Sequence, residues 1–263
     1  MRSLFGILAV VVGLLITQGC TTLPEPLVEE VRSVGVVALL SDEFPMLTIG
    51  TTVFNNNDDV GDIADWGLNA RIIDSLTSNL AERYEIVEVD YPRLALNAEA
   101  KEKITGGWIN DVNKQISDLL RGRLSPPAGA AAPDAYVVVL PQYSSTAFRG
   151  YPSFVDFGLY SMSLLGSRKT YVYVGAQMAL VDAESFEVLR RKSFYPSFSP
   201  ENPEKRVKGG GLSYVRIDNA AWAKDFESLS EAQKAIIRGA LENFIGDAAR
   251  RTSEQIGLVP VSE

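Results

Sequence analysis

One apolar stretch and one cysteine near the amino end constrain this chain more than any other feature. Leu4–Ile16 is a run without a charged residue, and the only cysteine of the 263 residues, Cys20, follows it. The run is too short for a membrane-spanning helix, which needs about 20 residues, but it suits the apolar core of a signal peptide. No later stretch approaches such a span. We therefore expect the rest of the chain to fold without a membrane helix and without an intramolecular disulfide.

A small residue, Gly19, directly precedes Cys20. This arrangement resembles the lipobox of bacterial lipoproteins, in which the signal is cleaved before a cysteine that then carries lipid. Thr17 and Gln18 depart from the residues most usual at their positions. The resemblance implies a signal peptide over residues 1–19 and lipid attachment at Cys20. Two or three acyl chains on one cysteine make a stable membrane anchor.

Residues 20–30 contain Pro24 and Pro26, which predict a short extended tether. Thr21 stands where an aspartate retains Gram-negative lipoproteins in the inner membrane. The resemblance therefore implies a lipid-anchored protein of the outer membrane that faces the periplasm. We expect residues 31–259 to form its α/β domain. An ordinary signal sequence with an incidental cysteine is the alternative.

Composition excludes several kinds of function. The net charge of −8 argues against nucleic acid as a partner, because phosphate binding requires clustered Lys and Arg. The absence of histidine excludes Ser-His-Asp and Cys-His catalytic units and histidine zinc sites. Gly209–Gly211 is not followed by the lysine of a phosphate-binding loop. The segment Asn55–Trp66 has Val60 and Trp66 at the positions where an EF-hand needs glycine and glutamate. We expect no cofactor, no metal and no enzymatic activity.

A carboxylate-based hydrolase stays open as an alternative, because acidic residues are numerous. Asp156, Asp182 and Asp218 fall in or near predicted turns and loops of the second half of the chain. Spacing alone selects no catalytic pair among them.

Long apolar runs rich in β-branched residues predict buried strands at Ser33–Leu40 and Ala135–Leu140. The composition of Asn55–Gly61 predicts a turn. The other predicted strands are Met46–Phe54, Glu85–Val89 and the two arms of a long β-hairpin, Thr170–Val181 and Glu187–Tyr195.

Apolar residues at every third or fourth position predict a helix from Asp62 to about Tyr84 and another over Trp108–Arg121. The buried stripe predicted for the first helix is Ile63, Trp66, Ala70, Ile73, Thr77, Leu80 and Tyr84. The capping box Ser228-x-x-Glu231 opens an amphipathic C-terminal helix that Gly257 ends. The predicted fold class is therefore α+β (α/β): a single domain with a mixed β-sheet, packed helices, a long β-hairpin and a C-terminal helix.

The order of several short segments resembles that in CsgG-like curli-secretion lipoproteins and in the amino-terminal domain of TolB. The segments are Val34–Val37, Tyr84–Val87, Tyr136–Leu140 and Val181–Leu189. The resemblance covers most of residues 31–256 and lies in the order of strands and helices, not in a specific sequence motif. It implies a non-enzymatic protein-interaction or assembly role in the cell envelope. A periplasmic module that binds a small molecule or a glycan is the alternative.

The segment from Phe148 to Arg168 is rich in aromatic residues and poor in charge. We expect it to form an exposed loop that contacts a partner protein or the lipid surface. The alternative is that its aromatic residues pack onto the domain as core, and it is also just long enough for one hairpin. The candidate contact residues are Phe148, Tyr151, Phe154, Phe157 and Tyr160. A second long loop is predicted over Tyr195–Arg216, with a basic cluster that could contact an acidic partner.

Overall fold

The structure is a computed structural model that describes residues 30–50, 56–104, 111–143, 154–164, 166–195, 206–209 and 212–261. The chain divides into two compact units, residues 1–30 and residues 31–263. The predicted signal peptide and nearly all of the predicted tether lie outside the described residues. The fold described below is that of the second unit.

The described residues form one mixed β-sheet of ten strands together with four α-helices. The strands are β1 (Ser33–Ala38), β2 (Glu43–Ile49), β3 (Asn57–Asp62), β4 (Glu85–Val87), β5 (Ala135–Pro141), β6 (Asp156–Leu164), β7 (Ser167–Asp182), β8 (Val188–Ser193), β9 (Arg206–Gly209) and β10 (Leu212–Ile217). The helices are α1 (Leu68–Leu80), α2 (Arg93–Lys103), α3 (Val112–Leu120) and α4 (Glu231–Gln255). This architecture confirms the predicted α+β class, including the long hairpin β7–β8 and the C-terminal helix.

The 16-residue strand β7 holds the sheet together because its two halves pair with different neighbours. Its carboxyl half pairs with β5 and β8, and its amino half pairs with β6 and β10. The change of pairing partner falls between two adjacent residues of β7. Gly175 lies opposite Asp156 of β6, and Ala176 lies opposite Pro141 of β5. We call the carboxyl half of β7 with β1, β4, β5 and β8 the β1 half of the sheet. The amino half of β7 with β2, β3, β6, β9 and β10 is the β6 half.

The β1 half is covered by helices on both faces, which explains its uninterrupted apolar strands. Strands β1 and β4 run parallel to each other, as do β1 and β5. On one face, Val37 and Val138 belong to a buried cluster that also contains Leu96 of α2 and Ile116 of α3. On the other face, α1 and α4 pack against each other, with α1 contacting β1 and α4 contacting β7.

A group of polar contacts joins the β6 half to the segment that follows β10. The indole Nε1 of Trp222 donates a hydrogen bond to Oγ1 of Thr48 in β2, at 3.1 Å. The guanidinium carbon of Arg168 in β7 lies 3.3 Å from the ring centroid of Trp222. Arg168 also donates to Oγ of Ser161 in β6, at 3.3 Å. Through these contacts, Trp222 connects β2, β6 and β7 to the chain that leads into α4.

The buried face predicted for the first helix is confirmed at both ends, where Ile63, Trp66, Leu80 and Tyr84 are buried. It is wrong between them, because the helix is interrupted near its start. Residues Ala64–Trp66 form a 3-10 helix, and Gly67 adopts a left-handed conformation with φ of 63° before α1 begins. This break shifts the helical phase. Leu68, Ile72, Leu76 and Leu80 are buried, whereas Ala70, part of the predicted stripe, is exposed.

The turn predicted over Asn55–Gly61 is also wrong, because Asn57–Asp62 is the edge strand β3, antiparallel to β2. A distant segment holds it there. The backbone N–H of Phe226 donates to the carboxylate of Asp59, at 2.6 Å. The Phe226 ring lies against Gly61, where an added Cβ would be 2.1 Å from a ring carbon. Tertiary contact therefore overrides the weak β propensity of this sequence.

The C-terminal helix is confirmed, but its cap lies two residues after the predicted one. The capping box is formed by Ser230 and Gln233, while Ser228 binds Asp225 instead. At the other end, Gly257 has φ of 77° as expected of a C-terminal glycine. The N–H of Leu258 closes the end by donating to the carbonyl of Ser253, at 2.9 Å.

We predict that Gly175→Ala destabilises the protein by about 1–3 kcal/mol. A Cβ at Gly175 would lie 2.9 Å from the carbonyl oxygen of Phe154 and from Cα of Val155, so rigid backbone would have to move. The control is Gly239→Ala in α4, where nothing lies within 4 Å of the added Cβ. Because alanine favours helices, the control should stabilise by up to about 1 kcal/mol. Urea unfolding measures both. Equal effects of the two variants would contradict the steric argument.

Candidate functional site

The predicted contact residues do not form an exposed patch. Phe154 and Phe157 are completely buried and Tyr160 is 1% exposed. The prediction of an exposed loop is therefore wrong for these three residues, and the alternative of core packing applies to them. The physical reason is that Asp156–Leu164 is strand β6, which forms a hairpin with β7. Phe148 and Tyr151, like Cys20, lie outside the described residues.

The buried aromatic side chains of β6 split between the two faces of the sheet. Phe154 and Tyr160 join a cluster with Tyr173 and Tyr214. The Phe154 ring meets the rings of Tyr160 and Tyr173 edge to face, at centroid distances of 5.8 and 4.9 Å. Phe157 lies opposite Val174 in the β6–β7 register, on the other face. These aromatic residues form the core of the β6 half.

A polar network lies at the carboxyl ends of β1 and β5, where open α/β sheets commonly bind ligands. The backbone that continues from β1 has no further strand neighbour on one side, so side chains satisfy its polar groups. The Asn69 amide of α1 accepts from the N–H of Leu40 and donates to its carbonyl, both at 3.0 Å. The Asn97 amide of α2 donates to the carbonyl of Leu39, at 2.8 Å.

Helix α2 presents three polar side chains on one face, at intervals of four residues. Arg93 donates to the Leu40 carbonyl, at 3.0 Å, and forms an ion pair with Asp42. Asn97 lies four residues after Arg93, and Lys101 lies four residues after Asn97. The polar spacing 93, 97, 101 is visible in the sequence, and it is the signal from which this network could have been found. Apolar periodicity, which predicts the buried face of a helix, does not reveal a polar stripe of this kind.

Asp156 is the charged centre of this network. It is 2% exposed, and its Oδ2 lies 3.1 Å from the ammonium of Lys101. Its Oδ1 accepts from the Asn97 amide, at 3.3 Å. Lys101 also approaches Glu43, at 3.4 Å. One ammonium group therefore lies between a buried carboxylate and a largely exposed one.

Burial raises the pKa of Asp156, while Lys101, the backbone of Ser41 and Asn97 each oppose that rise. Burial, and secondarily the Asp156 carboxylate, raises the pKa of Tyr173, so its hydroxyl stays protonated. The backbone of Asp156 has φ of 57°, a left-handed conformation that aspartate tolerates better than most residues.

Chemically, this arrangement joins β6 to α2 by non-covalent contacts and does not present an open acid–base pair. Both carboxylate oxygens of Asp156 face groups of α2, and the α2 amide of Asn97 also binds β1. Asp182 and Asp218, the other two carboxylates considered from the sequence, contact groups elsewhere in the fold. Asp182 accepts from Ser185 in the β7–β8 turn, and Asp218 caps a 3-10 helix.

A second carboxylate, Asp134, fixes the start of β1. Its Oδ2 accepts from the backbone N–H groups of Arg32 and Ser33, at 2.8 and 2.9 Å, and from the Ser33 hydroxyl, at 3.1 Å. The Ser33 hydroxyl in turn accepts from the N–H of Asp134, at 3.0 Å. The two backbone hydrogen bonds hold the pKa of Asp134 below its ordinary value. The chain is thereby held in place where it enters β1.

Within the described parts of the chain, no group of three or more acidic, cysteine or histidine side chains is arranged to hold a metal ion. None of the helices in those parts is long and apolar enough to span a membrane.

We predict that Lys101→Met destabilises the protein at pH 7 by about 3–5 kcal/mol, because it leaves the Asp156 carboxylate buried without its cation. Burial already raises the Asp156 pKa, and loss of the cation raises it further. The native state then binds a proton more readily than the unfolded state. The loss in free energy of unfolding relative to wild type should therefore shrink as pH falls from 7 to 5.

Urea unfolding at both pH values measures this effect. The control is Lys114→Met, which breaks an exposed pair with Asp118 and should change the stability little at either pH, because solvent screens such a pair. A deficit for Lys101→Met that grows on acidification would refute the assignment of Asp156 as the buried charge.

We predict that Asp134→Ala costs about 1 kcal/mol at neutral pH, through loss of the two backbone hydrogen bonds. The depressed pKa means that the stabilisation is present above the unfolded-state pKa and is lost as pH falls through the folded-state pKa. The difference from wild type should therefore narrow below about pH 4. Asp74→Ala, an exposed change in α1, is the control and should show no such narrowing.

No protein-family model matches the sequence, and no curated protein matches it. Among solved structures, the crystal structure of lipoprotein GNA1162 from Neisseria meningitidis matches with 16% sequence identity. The match covers 61% of this chain and 78% of that chain, with a TM-score of 0.21. A TM-score this low carries no conclusion about fold or function, which therefore rest on the residues described above.

Proposed function

We propose that this protein is a lipoprotein of the bacterial envelope, anchored through lipid on Cys20 and facing the periplasm from the outer membrane. The observation that carries the proposal is the uncharged run Leu4–Ile16 followed by Gly19 and the only cysteine. Thr21, in place of the aspartate that retains lipoproteins in the inner membrane, supports the choice of membrane.

The start of the folded unit supports an anchored role for the chain before it. Between Cys20 and Val31, where the second compact unit begins, the chain can span at most about 40 Å. Arg32 and Ser33 are held by Asp134, so the chain enters the folded unit at a fixed point at the start of β1.

We propose further that the domain acts through protein contacts and not through catalysis. Once Cys20 carries lipid, the remaining chain has neither a thiol nor an imidazole. The buried Asp156 carboxylate is engaged by Lys101 and Asn97. The resemblance of residues 31–256 to CsgG-like and TolB-like domains favours an assembly role, and Phe148 and Tyr151 remain the proposed partner contacts.

The anchor is tested with Cys20→Ser in cells labelled with palmitate. We expect loss of label and release of the protein from the membrane fraction. Thr21→Asp is the matched variant: it should keep the label and move the protein to the inner membrane. Retention of Cys20→Ser in the membrane fraction would contradict the lipoprotein proposal.

The contact proposal is tested by crosslinking in cells followed by pull-down of the double variant Phe148→Ser, Tyr151→Ser. Substitution is preferable to deletion of the whole aromatic segment, because β6 is part of the sheet. The control is Val60→Ser, which removes an apolar side chain that is 61% exposed on the edge strand β3. We expect the double variant alone to lose the crosslinked partner while remaining folded. An unchanged crosslink pattern would argue against these two contacts.

A further inference from the structure

A cleft of about 300 Å³ lies between α4 and the segment that joins β3 to α1. Lys234 and Arg238 of α4 line one wall together with Glu231 of the same helix, and Asp62 and Asp65 line the other. Trp66 also borders the cleft, together with Phe226. The cleft therefore has one wall with two cations and a carboxylate, one acidic wall and an aromatic component.

Each wall is built on a fixed element. Lys234 and Arg238 are four residues apart in α4, so both project from one face of the helix. Asp65 lies in the 3-10 helix Ala64–Trp66, which begins where β3 ends. Between the walls, Phe226 is 7% exposed and packs against Trp66, with ring centroids 6.1 Å apart.

The two cations of the α4 wall lie across the cleft from the acidic wall, yet among the described residues no ion pair crosses the cleft. Lys234 pairs with Glu231, at 3.3 Å, and Arg238 pairs with Glu242, at 2.9 Å, both within α4. On the acidic wall, Asp62 accepts from the backbone N–H of Ala64, at 2.9 Å. Opposite charges separated by an open space match a ligand that carries both charges.

We propose that this cleft binds a small zwitterion, namely an amino acid or a short peptide. Its ammonium group would lie against Asp62 and Asp65, and its carboxylate against Lys234 and Arg238. The volume is at the lower end of the roughly 300–1,000 Å³ of ligand pockets, which limits the ligand to a few residues. The edges of Trp66 and Phe226 supply apolar contact for the carbon atoms between the two charges. This site does not depend on the lipid anchor or on the partner contacts proposed above.

The test is calorimetric titration of the full chain in detergent with L-alanine, D-alanine and L-alanyl-L-alanine. Acetate and ethylammonium serve as probes with a single charge. We expect at least one zwitterion to bind at least about tenfold more tightly than either single-charge probe, since each probe lacks one of the two charged contacts. The alanine and dipeptide arms distinguish a free amino acid from a peptide.

Asp65→Asn and Arg238→Gln test the two walls separately. Both side chains are at the surface, so both variants should fold, and thermal unfolding checks this. Each should weaken zwitterion binding about tenfold. Arg250→Gln is the control, because Arg250 pairs with Asp247 and Glu254 further along the same helix.

Three outcomes overturn the proposal. They are no heat of binding with any zwitterion, binding that neither wall variant weakens, and binding of a single-charge probe as tight as that of the zwitterions.

Discussion

Backbone hydrogen bonding along β7 is the constraint on which the rest of the structure depends. A buried strand must pair its N–H and carbonyl groups on both edges, and β7 meets this requirement with two sets of neighbours. The exchange of neighbours brings three chain segments together at Gly175, where the carbonyls of Phe154 and Gln142 leave no space for a side chain. The β1 half and the β6 half are therefore one sheet, and neither can shift without breaking the pairing of the other.

The same requirement explains the polar network at the end of β1. At Leu39 and Leu40 the chain no longer has a strand neighbour on one side, so amide side chains from α1 and α2 bind its backbone. That places α2 with Lys101 beside the first residue of β6, Asp156. Helices, the end of β1 and the β6 half are thus joined at a point where many α/β sheets keep an open ligand site. Here the protein's own side chains occupy that position.

The distribution of aromatic residues bears directly on function. Sequence composition suggested one contact surface, but the structure uses its β6 and β7 aromatic residues as core. The two binding proposals rest on other residues: Phe148 and Tyr151, outside the described residues, and the lining of the charged cleft between α4 and the segment after β3. The first proposal concerns a protein partner and the second a small ligand, so they can be tested separately.

The sequence by itself determined the strands β1, β5 and β7, because strands covered on both faces require long apolar runs. It also determined the C-terminal helix, whose caps and apolar spacing are local features. Only the tertiary structure decided that Asn57–Asp62 is a strand, that Gly67 resets the phase of α1, and that Asp156 meets Lys101. Each of these depends on contact between segments far apart in the chain, and no local propensity encodes such a contact.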